Sequence, residues 1–110
     1  MAAFAVGDVV MVPFPYSDLT SSKLRPALVV AAMGQSDYLL CMVTSQGYND
    51  PMAIAVPEKD IHSARLGRTS FVRPSRLFVG NGSIIKRKTG NFSPGFTHEI
   101  KQVISGWIAE

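Results

Sequence analysis

GDVVMVPFPYSDLTSSKLRPALVV, residues 7–30, sets two apolar runs on either side of a polar stretch and reads as strand, loop, strand. Val9 to Phe14 is apolar and largely β-branched, which suits a pleated strand, while Pro13 and Pro15 are expected to limit how far it pairs inside a sheet. Tyr16 to Ser22 is polar turn material. The loop is expected to end at Lys23-Leu24-Arg25-Pro26. There Pro26 has no N–H to give a ladder and pushes Arg25 toward extended geometry. A guanidinium is thereby fixed where a strand begins. Its planar fork of donors fits a phosphate, and a proline-braced backbone has less freedom to lose on binding one.

The period along the rest of the chain is mostly two. Met33 to Ser36 reads as a turn and Tyr38 to Val43 as a buried strand that stops at Thr44-Ser45-Gln46, three side chains rich in hydrogen-bonding groups. Gly47 to Pro51 reads as a loop, Ala53 to Val56 as a short strand and Pro57 to Arg68 as irregular. Ser70 to Arg73 reads as a strand that Pro74 interrupts and Leu77 to Val79 resumes. Gly80-Asn81-Gly82 is a hairpin signal leading into a strand over Ser83 to Thr89. The period then changes. Ser93-Pro94 marks a helix start, and Phe96, Ile100, Val103, Ile104, Trp107 and Ile108 follow at helical spacing, a stripe that should pack on the sheet. Short strands with one closing helix, and no alternation of strand and helix, indicate a mainly β fold, a small, strongly bent antiparallel barrel.

With 110 residues the chain is long enough for one core and too short for two, so function should come from one site or surface. A hydrophobic share of 46% argues against disorder. The longest apolar run, Ala27 to Met33, falls far short of the ~20 residues that span a membrane. The opening MAAFAVGD lacks the basic start and apolar centre of a secretory signal, which points to the cytoplasm. The net charge of +3 is modest, but the basic residues cluster: Lys23-Arg25, Arg65-Arg68, Arg73-Arg76 and Lys86-Arg87-Lys88. Gathered on one face they would suit an anionic partner. The last of these runs reads equally as an exposed strand keeping its edge charged. A lone Cys41 excludes an internal disulfide and a cysteine metal cluster, and its apolar surroundings make it core. His62 and His98 have no ligand spacing around them, and no G-x-S-x-G elbow is present.

GDVVMVPFPYSDLTSSKLRPALVV, followed by a strand ending in VTSQ and later by SFVRPSRL, resembles the PemK/MazF/Kid toxins of bacterial toxin–antitoxin modules. The resemblance runs from Gly7 to the terminal helix. It implies an SH3-like barrel, usually dimeric, that cleaves single-stranded RNA without a metal or other cofactor and is inhibited by an acidic antitoxin peptide. On this resemblance the catalytic pair is Arg25 and Thr44, with Lys23, Ser45, Gln46, Arg73, Ser75 and Arg76 as RNA contacts. In Kid-like members an acidic residue follows the second arginine by two positions. Here Ser75 stands where that acid would be. The competing expectation is a non-catalytic toxin on the same barrel, like the CcdB gyrase poisons, which would not require Arg25 with Thr44.

Overall fold

A computed structural model of the chain describes residues 4–15, 22–47, 49–62 and 69–110. Its elements are β1 (Asp8–Pro15), β2 (Ser22–Gly34), β3 (Asp37–Thr44), β4 (Ile54–Ala55), β5 (Ile61–His62), β6 (Phe71–Asn81), β7 (Arg87–Phe92) and α1 (Pro94–Ala109). The strands form one antiparallel sheet in the order β4-β6-β3-β2-β1-β7-β5. Register shifts interrupt three of its ladders, at Val9/Val10, at Val29/Ala31 with Ala32/Gly34, and at Cys41/Met42. Bulges of this kind raise local twist, and here they curl the sheet into a half-barrel, in keeping with the strongly bent antiparallel barrel expected from the sequence.

The three prolines of the opening stretch all lie inside the β1–β2 ladder, where Met11 faces Pro26, Pro13 faces Leu24 and Pro15 faces Ser22. The loop therefore ends by Ser22, and neither Pro13 nor Pro15 shortens the pairing. The reason is register. A hydrogen-bonded antiparallel pair exchanges two N–H···O bonds, which proline cannot do, so Met11–Pro26 is a non-hydrogen-bonded pair, and the pairs two and four residues along share its type. The nitrogen of Pro26 then points away from β1, toward β3. On that side the β2–β3 ladder stops at Ala27 with Met42. Beyond Pro26 the two strands have no ladder to hold them together.

Elsewhere the chain departs from its sequence pattern in four places. Gln35 and Ser36 both take positive φ (53° and 65°), so β2 runs on to Gly34 and the turn is a two-residue hairpin loop. Pro74 does not divide a strand: β6 is continuous, and Pro74, Ser75 and Arg76 bulge out between Arg73, opposite Met42, and Leu77, opposite Cys41. Gly80-Asn81-Gly82 makes no hairpin. Asn81 Oδ1 accepts the Ser83 N–H at 2.9 Å and caps a 3-10 turn over Gly82–Ile84, so β7 begins only at Arg87 and pairs with β1 rather than β6. Within the stretch read as irregular, Ile61–His62 pairs with β7.

Two apolar clusters fill the two faces. Val9, Leu28, Val30, Cys41, Val43, Val72 and Phe92 pack under Phe96, Ile100 and Ile104 of α1. Val10, Val12, Ala27, Val29, Tyr38, Leu40 and Ile85 form the other, closed by Phe4, whose ring meets Tyr38 edge-on at 5.6 Å. The helix begins at Ser93-Pro94 as expected, although the Ser93 hydroxyl bonds His62 Nε2 at 2.9 Å instead of capping. Trp107 is only half-buried and Ile108 is 77% exposed, so the stripe loosens over the last turn. No helix among the described residues is long and apolar enough to cross a membrane.

Candidate functional site

Where β2 and β3 part beyond Pro26, a cleft of about 460 Å³ opens across the strand ends. Leu24, Arg25 and Pro26 line one lip, and Val43, Thr44 and Ser45 line the other. Arg25 pairs directly with Val12 on β1. Carrying the β2–β3 register two residues past Ala27–Met42 sets Arg25 across from Thr44, on the same sheet face. Met11, Arg87, Thr89, Thr69 and Ser70 complete the wall. Arg87 belongs to the neighbouring row, with Met11 and Pro26, so the cleft draws residues from both faces of the strand ends.

Thr44 Oγ1 accepts the backbone N–H of Gln46 at 3.1 Å. A hydroxyl has one proton and two lone pairs, so this bond uses acceptor capacity and leaves the O–H able to donate. The loop after β3 is also tied elsewhere. Gly47 is buried against the Phe71 ring, Asp50 N–H bonds Gly47 O at 3.2 Å, and Asp50 Oδ1 accepts Met52 N–H at 2.9 Å. Asp50 Oδ2 meets Arg73 Nε at 2.7 Å. The Arg73 side chain, the Met52 N–H and the nearby Arg76 charge hold the Asp50 carboxyl below its ordinary value.

The residues proposed from sequence thus divide. Arg25, Thr44 and Ser45 come together on the cleft. Lys23 and Gln46 are exposed outside its lining, and Ser75 and Arg76 are exposed on the β6 bulge. Arg73 lies outside the cleft lining, on the Thr44 face but two pairs along the ladder, since Thr44 faces Phe71, Val43 faces Val72 and Met42 faces Arg73. Of the other basic residues, Arg65 and Arg68 lie outside the described positions, as do residues 16–21, where the sequence leads one to expect a polar loop. Sequence reading missed Thr69, Ser70, Arg87 and Thr89. Lys86-Arg87-Lys88 is exposed and, among the described residues, pairs with β1 alone, since β5 meets β7 only at Asn91 and Phe92, as the charged-edge reading has it; Lys88 binds Asp8 at 3.1 Å. That ion pair, the Asp8 acceptance of Ala5 N–H at 2.9 Å and the positive φ of Gly7 (99°) show what the Gly-Asp motif does in the fold, which is to turn the chain into β1. Among the described residues no three His, Cys, Asp or Glu side chains group as metal ligands would. Cys41 is buried in the sheet, its thiol bonds the Arg73 carbonyl at 3.1 Å, and burial pushes its pKa up to about 12.

A family model of PemK-like, MazF-like toxins of type II toxin–antitoxin systems matches residues 5–108. The chain belongs to this family. Two solved structures share this fold. One is an endoribonuclease in complex with its cognate antitoxin from Mycobacterial species, 16% identical, with a TM-score of 0.74 over 97% of this chain and 96% of that one. Another is an endoribonuclease from Mycobacterial species, 18% identical, with a TM-score of 0.72 over 99% of this chain and 94% of that one. No curated protein matches the chain.

Proposed function

We propose that this PemK/MazF-like chain is a sequence-selective endoribonuclease toxin that cuts single-stranded RNA and is neutralised by a cognate antitoxin. The observation that carries this reading is the ladder break at Pro26, which leaves Arg25 and Thr44 on facing lips of one cleft. In the proposed reaction the substrate's own 2′-oxygen loses its proton and attacks the adjacent phosphorus, and the bond to the 5′-oxygen breaks as that oxygen gains a proton. The products are a 2′,3′-cyclic phosphate and a 5′-OH. The intermediate is a crowded, doubly charged phosphorane, and catalysis is largely a matter of donors placed where that charge develops. Arg25 offers two parallel N–H bonds to the non-bridging oxygens, and Thr44 offers its O–H. Lys23, Ser45, Gln46, Arg73, Ser75 and Arg76 contact the flanking RNA. Their cations also attract an acidic antitoxin segment, which competes with RNA for them.

The protein acts as a homodimer in this proposal. Val79 and Met33 stand 58% and 55% exposed on strands flanking β3, and a second copy would cover them. Light scattering of the purified protein reads the mass directly.

The test of function is incubation of the protein with a long single-stranded RNA in excess EDTA. The wild type should cut. Arg25→Ala should cut slower by roughly 10²–10³, the range for one preorganised donor to a transition-state oxygen, with its circular dichroism unchanged. Arg25→Lys should also fail, since an ammonium has no fork. An Arg25→Lys enzyme with more than half the wild-type rate would contradict bidentate phosphate binding, and RNA left intact by the wild type would favour a non-catalytic toxin.

A further inference from the structure

Arg73 and Asp50 form an ion pair that the cleft's lining does not include. The guanidinium sits on the Thr44 face, two residues along β6 from Phe71, which pairs with Thr44. That is about 7 Å along the strand. Asp50 touches only Nε, at 2.7 Å. An arginine has four further N–H donors on its two terminal nitrogens, and no protein group among the described residues meets them. The carboxylate is itself fixed. Its second oxygen accepts Met52 N–H, and the loop that carries it is pinned by Gly47 on Phe71. With side-chain exposures of 27% for Arg73 and 13% for Asp50, the pair is partly shielded, and Arg73 keeps the larger open surface.

We propose that Asp50 is a positioning residue for RNA cleavage: by holding Arg73 through Nε, it presents that guanidinium's terminal N–H groups to the substrate phosphate on the Thr44 face. The role deepens the ribonuclease reading and rests on it. Ser75 is exposed on the bulge and has no carboxylate, so the anion that orients Arg73 comes from the β3–β4 loop.

Electrostatics makes the role separable from general charge. A carboxylate beside a phosphate-binding face repels RNA, so removing its charge alone should leave affinity unchanged or tighter. A positioning carboxylate does the opposite to rate, because a misplaced donor no longer meets the transition state. The experiment therefore compares wild type, Asp50→Asn, Arg73→Ala and the double variant on one single-stranded RNA. It measures single-turnover cleavage, affinity for a copy of that RNA with deoxyribose at the cut site, and thermal stability. Asp50→Asn should cleave at least ~10-fold slower, with affinity equal to or above wild type. In the Arg73→Ala background the same substitution should change cleavage less than about twofold, since a group that acts through Arg73 has nothing left to position.

Wild-type cleavage by Asp50→Asn would overturn the proposal, as would effects of the two substitutions that multiply. So would a rate loss in Asp50→Asn that restoring the native fold at lower temperature abolishes, because that would mark a purely structural bridge. RNA left uncut and unbound by the wild type would instead remove the ribonuclease reading, and this assignment with it.

Discussion

Gly47 offers a sharp test of how the loop beyond β3 is held. A Cβ at this position would stand 2.4 Å from Phe71 Cγ, 2.7 Å from its Cβ and 2.8 Å from its Cδ2. Those atoms are the root of a ring on a paired strand and cannot swing aside, so Gly47→Ala must push the loop outward or shift β6. The backbone at Gly47 has no positive φ, which makes the penalty steric rather than conformational. Overpacking of this kind costs about 1–3 kcal/mol. At roughly 4 °C per kcal/mol for a domain of this size, the melting temperature should fall by about 4–12 °C. Gly106→Ala supplies the opposite sign. That position lies inside α1 with nothing within 4 Å of a new Cβ, so it should gain about 0.5–1 kcal/mol and melt a few degrees higher. Calorimetry or circular dichroism melts of both variants decide the matter. Phe71→Ala, which removes the two ring atoms Cγ and Cδ2 from the clash, should cost less stability in the Gly47→Ala background than in the wild type. Cleavage by Gly47→Ala should fall even where the protein is fully folded, because the same loop carries Ser45 and Asp50. A Gly47→Ala protein that melts within about a degree of wild type would show that Phe71 does not hold the loop in this way.

Thr97 Oγ1 is buried with no hydrogen-bond partner among the described residues, so Thr97→Val, which keeps the shape and drops the hydroxyl, should stabilise by about 1 kcal/mol in a denaturant titration; a loss of stability would reveal a partner for that hydroxyl. The Cys41 thiol, with its pKa pushed up to about 12 and no exposed surface, should resist a disulfide reagent at a mildly alkaline pH in the native protein and react at once in guanidinium. Rapid native labelling would mean that β3 opens far more readily than its buried position allows.

The parts of the fold legible in the sequence are those whose cause is local. The apolar run Tyr38 to Val43 lies within β3, and the helical spacing from Phe96 to Ile104 marks the face of α1 that enters the core. Prolines misled because their effect depends on register: the same ring that would break a hydrogen-bonded pair is harmless at Pro13 and Pro15 and decisive at Pro26, where the missing N–H faces β3. Gly80-Asn81-Gly82 carries hairpin chemistry, yet the Asn81 side chain uses it on a 3-10 turn, because the strand that follows belongs beside β1. At the site, the Arg-Pro pair and the polar end of β3 could be picked out beforehand. Arg87 could not, because only the closure of β7 on β1 brings it to the cleft. Asp50 could not either. Its partner Arg73 is named by the sequence, but nothing local says which loop supplies the carboxylate.

In the proposed reaction the RNA supplies its own nucleophile, within a cleft that bears Arg25 and Thr44. A single deoxyribose placed 5′ to the cut phosphate removes the attacking oxygen and leaves the phosphates in place. Cleavage of that RNA is compared with cleavage of its all-ribose parent, with end-labelling of the products before and after phosphatase. Cutting should vanish at the deoxy position while affinity barely falls. The parent's products should carry a 2′,3′-cyclic phosphate and a free 5′-OH, and DNA of the same sequence should compete for binding. Undiminished cutting at the deoxy position, or a 5′-phosphate on the product, would mean that water attacks and that the 2′-oxygen does not.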